Sequence, residues 1–474
     1  MKNIVFIICA LGLASGAGAQ EKQALTFDEA LNLTLNNNPS LQASSYGIEA
    51  AERERKAAYG LRLPQIGVNG AYVYMSKDIS IDMNNLKAPV SGILGSVGNV
   101  LPPDVLQQAQ TLLAQNWAMP LQDRSVGTVG GTITVPVYTG GKINAANNAA
   151  KIKIEETKEQ RLQTQNALIS ELTERYYGLS LALQVVEVRR QVLEGMQHHL
   201  EDAKALEANG IIAKSERLYA EMHVAEAERE YLAAQKTAAT LSSALSNTLN
   251  NSGSYEFQPI TNMFILDQIE EVDHFKQLAL QNNPLLRQVE LKKDLAVEGV
   301  RLQRADFTPQ IALMGAASFY NYQMTPLMPR WAVGAGVSFK LFNGLNREYK
   351  FSAAKSQVKQ VEALNVKAQN DILTLIDKLY NEMTTYSVQL PSINTAHDFA
   401  VEYLRIKETA FKEGAAPSSD VVDARLNLAK IKTERLQAAY YYDLMLARLL
   451  EACGDSEAFG EYAKRSAAMP IRYE

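Results

Sequence analysis

Past residue 13 the 474-residue chain has no long apolar run, which excludes a membrane-crossing helix from the rest of it. Cysteine is nearly missing. Only Cys9 and Cys453 occur, and Cys9 lies inside the apolar leader behind the bulky Ile8, a setting unlike a lipid-attachment site. One cysteine beyond the leader excludes an intrachain disulfide. Positive charge is not in excess: the formal net charge is -5, so the basic stripe that nucleic acid requires is absent. Histidine is scarce as well. His198 and His199 are adjacent and point to different helix faces, and with no cysteine or histidine cluster at ligand spacing they and His223 are expected on solvated surface, with no metal or other cofactor. No Ser/His/Asp, Cys/His or paired-acid constellation has a definable local context, so no enzyme chemistry is expected. The glycines Gly127, Gly130 and Gly131 fall within an alternating segment and lack the Gly-Lys-Ser/Thr of a phosphate loop.

What is present begins with an export signal. Lys2, the apolar residues 4–13 and the small residues Ala17-Gly18-Ala19 predict a secretory leader over 1–19, cut before Gln20. The mature chain is then built twice. Asn37-Asn38-Pro39 and Leu63-Pro64-Gln65-Ile66 return as Asn282-Asn283-Pro284 and Thr308-Pro309-Gln310-Ile311, with both prolines displaced by 245 residues. Proline ends one helix and biases its predecessor to extended backbone, so each copy reads helix, break, helix, strand. Later markers keep a second register: Tyr138-Thr139-Gly140 matches Phe342-Asn343-Gly344, and Gly210 matches Gly414, both at an offset of 204. The 41-residue difference lies between Pro64 and Gly140. An internal duplication of this kind predicts two repeats of one body, over 20–249 and 272–453, joined by a less regular link at 250–271 and followed by a tail at 454–474.

Four segments alternate with period two: 66–75, 128–138, 310–320 and 331–342. Each matches the roughly 9–11 residues of a tilted transmembrane strand. Four strands cannot close a barrel and lipid tolerates no open edge, so spanning strands require several copies: two would supply eight strands, three would supply twelve. Tyr320 and Trp331 flank the second hairpin as an aromatic belt would. The 78–126 insertion lengthens the first hairpin and predicts a short helix over 105–117 capped by Asp104. From Gly141 a helix of about 100 Å extends to Ala208. Its apolar residues Ile169, Leu172, Tyr176, Leu179, Leu183 and Val186 alternate three and four apart, and a return helix repeats the seam, as does the second copy. Pro391 predicts a kink or break in the second long helix. The tyrosines 440–442 and Cys453 read as packing residues.

Leader, doubled plan, two strand hairpins and two long helical hairpins together resemble the TolC-like outer-membrane efflux proteins. The most specific stretches are Ala30-Leu31 to Asn37-Asn38-Pro39, Leu63-Pro64-Gln65-Ile66, and Gly414 to Ser419-Asp420-Val421-Val422-Asp423-Ala424. The resemblance implies an α+β membrane protein: a homotrimer in outer-membrane lipid, whose twelve-stranded barrel continues as a tunnel of coiled-coil helical hairpins across the periplasm. It implies a passive exit duct for tripartite efflux or type I secretion, coupled through a periplasmic adaptor to an inner-membrane RND or ABC pump. The adaptor would dock at the helical turns, Gly210-Ile211 and Gly414-Ala415. Asp420 and Asp423, with Glu216 at the first copy, would constrict the pore. Ala416 stands where some relatives carry a basic residue. The competing reading of the helices is a periplasmic coiled-coil scaffold or adaptor without a pore. For the acids it is plain helix capping, with Ser418 or Ser419 at the cap.

Overall fold

The computed structural model describes residues 22–250, 256–465 and 467–473. The predicted leader lies outside them. In chain order the first half comprises β1 (Lys22–Leu25), α1 (Phe27–Asn37), α2 (Pro39–Gly60) and β2 (Gln65–Tyr74). The insertion follows as β3 (Ile79–Asp82), α3 (Lys87–Val97), α4 (Pro103–Ala114) and β4 (Ala118–Gln122), before β5 (Ser125–Tyr138), α5 (Lys142–Ala208) and α6 (Lys214–Thr248). Next come β6 (Glu256–Pro259), β7 (Met263–Leu266), α7 (Val272–Asn282), α8 (Pro284–Arg304), β8 (Gln310–Tyr322) and β9 (Trp331–Ser338). The chain ends in α9 (Asn346–Lys412), α10 (Ser418–Cys453), α11 (Phe459–Ala463) and β10 (Ala468–Ile471). It packs as two compact units, one of residues up to Glu52 with Ile152–Asp294 and from Lys359 on, the other of Arg53–Lys151 with Leu295–Val358.

In the first unit the repeated asparagine does the same work twice. Asn38 Oδ1 accepts the Ser40 N–H at 2.8 Å, and Asn283 Oδ1 accepts the Leu286 N–H at 3.0 Å, so each side chain caps the helix opened by its following proline. Their amides then bind the ends of the return helices: Asn38 Nδ2 donates to the Thr248 carbonyl and Asn283 Nδ2 to the Ala452 carbonyl. Thr248 and Ala452 are themselves 204 residues apart. Thr26 and Glu29 form a full capping box at the start of α1.

A single apolar core surrounds these ends. Phe27, Tyr176, Tyr177, Phe264 and Phe459 are all buried and pack ring against ring. The Tyr176 hydroxyl donates to the Leu25 carbonyl at 2.6 Å and accepts the Thr261 N–H at 3.0 Å, which pins the link between the repeats. Link and tail pair directly, β7 antiparallel with β10. Tyr442 is buried, and Tyr441 stacks on Tyr386. Cys453 is fully buried and donates to the Phe275 carbonyl, with burial pushing its thiol up to about 12. At neutral pH it is an inert packing residue. Pro391 does not break α9, which continues unbroken through it. The residue is exposed, and its own carbonyl accepts the Thr395 hydroxyl at 3.0 Å.

The second unit carries a four-stranded antiparallel sheet in the order β2-β5-β8-β9. Its register sorts the side chains. Ile66, Ile133, Gly315 and Val333 are cross-strand partners on one face, joined there by Val68, Val135, Leu313, Ala335 and Trp331. Gly67, Thr132, Ala316 and Ala332 mark the other, with Gln65, Asn69, Thr134 and Ser318. One face is mainly apolar yet exposed, Ile66 at 79% and Val333 at 77%, and the other is mainly small and polar, with Met314 and the Val73–Val126 pair as its larger apolar residues. That is the division of a lipid-facing and a lumen-facing barrel wall. β9 stops at Ser338, four residues earlier than the alternation predicts. Ser338 faces Gln310, the first residue of β8 after Pro309, so no partner exists beyond it, and Arg347 takes the Lys340 and Leu341 carbonyls. In the insertion, α4 begins at Pro103 with Pro102 at the cap and Asp104 inside the first turn, not at the cap as expected. The helix α3 is an element the pattern did not reveal. No helix among the described residues is long and apolar enough to cross a membrane.

Candidate functional site at the hairpin tips

Both helical hairpins turn through the same motif. Gly210 has φ +70° and Gly414 φ +71°, a left-handed conformation costly to any residue with a Cβ. In the first turn the Ile211 N–H returns to the Leu206 carbonyl and Gly210 N–H to Glu207; in the second Ala415 N–H returns to Ala410 and Gly414 N–H to Phe411. Each is a Schellman closure of the long helix. The tips touch, since a Cβ on Gly414 would meet Ile211 Cγ2 at 3.1 Å. Ile211 is 56% exposed, and Gly210, Gly414 and Ala415 are exposed too.

The three acids have different surroundings. Glu216 Oε2 accepts the backbone N–H of Ser418 at 2.7 Å. A carboxylate from the first hairpin therefore caps the helix α10 of the second. The expected cap by Ser418 or Ser419 is not found: Pro417 occupies that position without a side-chain bond, and Ser418 is the first helical residue. Asp420 pairs instead with Lys407 on α9, Nζ to Oδ2 at 2.6 Å, and that bond raises the lysine's pKa. Lys407 also lies over the Tyr403 ring. Asp423 is exposed and makes no ion pair among the described residues.

Beneath them lies a small shared core of Leu200, Ala203, Ala220, Leu404, Phe411, Val421 and Ala424. His199 belongs to it, contrary to the expectation of a solvated surface. It is 4% exposed, tilted on Phe411 with ring centroids 4.4 Å apart, and its Nε2 meets the buried Ser418 hydroxyl. Burial, then the nearby Arg425, lowers its pKa to about 4 against the opposing pull of Asp202 and Glu216. Arg425 is itself half-buried and paired with Glu408. His198 is exposed and His223 lies between, bonded to Glu226. Seam spacing could have pointed to His199, because it falls one residue before Leu200 and three after Met196 on the buried face.

The rest of the chain identifies what these tips belong to. A family profile described as outer membrane efflux protein matches residues 30–251 and 276–455, most of the chain. The chain belongs to the outer membrane efflux protein family. The strands of its four-stranded sheet therefore sit in the outer membrane as staves of a barrel, its long helices lie in the periplasm, and the efflux protein acts as a channel. Solved structures share the fold. VceC from Vibrio cholerae superposes with a TM-score of 0.70 at 16% identity, over 90% of this chain and 96% of that one. MtrE of Neisseria gonorrhoeae, in its open state, gives 0.68 at 16% identity, over 91% and 89%. CmeC of Campylobacter jejuni gives 0.68 at 14%, over 93% and 89%. No curated protein sequence matches the chain.

Proposed function

We propose that three copies of this efflux protein close one twelve-stranded barrel, and that the resulting duct is the passive exit of a tripartite efflux or type I secretion system. The observation that carries this is the sheet of the second unit, with one apolar face and both edge strands, β2 and β9, unpaired on their outer sides. Lipid penalises each open N–H and carbonyl by several kcal/mol, so the edges must be joined by other copies. The repeats 20–249 and 272–453, with the link 250–271 and the tail 454–474, supply two hairpins per copy. The exposed turns Gly210-Ile211 and Gly414-Ala415 are the docking points for a periplasmic adaptor, which couples the duct to an RND or ABC pump in the inner membrane. Asp420, Asp423 and Glu216 constrict the pore, and the bonds of Asp420 and Glu216 must yield or turn when it widens. The duct performs no chemistry of its own.

Native mass measurement of the detergent-purified protein tests the assembly, and permeability of liposomes containing it tests the duct. Three copies per particle and solute leakage are expected. A monomer that leaves liposomes sealed contradicts the reading and returns the chain to a scaffold role.

A further inference from the structure

The helical pair in the 78–126 insertion is explained neither by the sheet nor by the tips. Residues 83–122 contain only two charged side chains, Lys87 and Asp104. Solvated helices normally carry a charged outer face. On α3 one side is used within the chain: Leu94 is half-buried, and a Cβ on Gly98 would lie 3.6 Å from Leu106 of the segment leading through α4. The other side presents Leu86, Val90, Ile93 and Val97, exposed by 52, 40, 65 and 43%. Their spacing of four, three and four is that of a coiled-coil seam, and no described residue of the chain covers it.

We propose that this stripe packs against the same stripe of neighbouring copies, so that three α3 helices form a seam over the outer mouth of the barrel. The inference rests on the shared barrel proposed above. Position argues for it: β2 leads into the insertion within a few residues, and β2 is an edge strand whose free side must meet the next copy. The insertion thus rises at the boundary between copies. Chemistry argues for it too. A single lysine offers nothing to the phosphates of a lipid headgroup layer, whereas the mostly β-branched stripe suits parallel helices meeting around a threefold axis.

The test uses thiol pairing in the full-length protein in its own membranes. Cys453 is buried and Cys9 falls in the leader cut off on export, so Ile93→Cys adds the one accessible thiol of the mature chain, and Ser91→Cys, on the opposite face of α3, is the control. Copper phenanthroline accepts the two electrons as two thiols join. Conversion of most Ile93→Cys monomer to a reducible dimer, with little from Ser91→Cys, is expected, since one thiol of three must remain unpaired. Equal pairing at both positions overturns the seam. So does a trimeric native mass with no pairing at Ile93→Cys, which leaves the barrel intact. A monomeric native mass overturns the barrel reading and the seam with it.

Discussion

Gly210 and Gly414 close their hairpins with the same two backbone bonds, yet the acids six residues further on have separate partners. Asp420 finds Lys407 within its own hairpin, while Glu216 reaches across to the Ser418 N–H of the other. The cause lies in the positions 204 residues apart. The counterpart of Lys407 is Ala203, fully buried in the shared tip core, so the first hairpin has no base at the position that holds Asp420 in the second. The counterpart of Ser418 is Lys214, which is exposed, whereas Ser418 is small enough to be buried under His199. Duplication thus retained the turn and let the acids diverge. The second tip takes a helix cap from the first.

The largest expected effect comes from the side chain both hairpins share. Phe411→Ala removes a ring that is 1% exposed and should destabilise the tip by about 3 kcal/mol or more. Limited proteolysis would then find new cleavage at both turns. Cleavage confined to residues near Gly414 would mean the hairpins are independent and break the comparison.

A pH effect comes next. Burial holds the His199 pKa at about 4, below its usual 6.5. Above pH 6.5 both folded and unfolded forms are neutral and the contribution is complete. As pH falls from 6.5 to 4 the unfolded form takes a proton that the folded form refuses, and on the order of 3 kcal/mol is lost. Thermal melting across that window should show a steeper decline for the native protein than for His199→Gln. Parallel curves would contradict the burial of this ring.

Glu216→Ala should cost about 1–2 kcal/mol, the loss of a helix cap, and its effect should appear at a distance. Hydrogen exchange is expected to rise around Ser418 on the second hairpin more than around Gly210 on the first. Lys407→Met comes last. The pair it breaks is partly exposed, so its loss should be the smallest of these effects, and added salt should erase it. An effect larger than that of Glu216→Ala would mean that the bond within the second hairpin matters more than the cap between the two.

Much of this architecture was legible in the residues. Asn-Pro at 38–39 and 283–284, the period-two segments and the seams of the long helices are local patterns, and each acts on its own element. What the residues hid was long-range. Nothing near Glu216 signals that its partner is a backbone N–H 202 residues away, and His199 looks polar until Phe411 and Ser418 are brought over it. The end of β9 depends on where β8 begins, which alternation alone cannot say. The helix α3 was missed because its glycines and serines mimic a loop, and its apolar stripe has no covering partner within the chain.

The central claim is a duct narrowed by acids at its tips, and planar-bilayer conductance of the purified protein beside its Asp420→Asn/Asp423→Asn variant tests it most directly. Small, cation-selective openings in the native protein that become larger and less selective in the variant are predicted. A protein that inserts into bilayers and conducts nothing would contradict the duct, and equal conductance and selectivity in the two would contradict the acidic constriction.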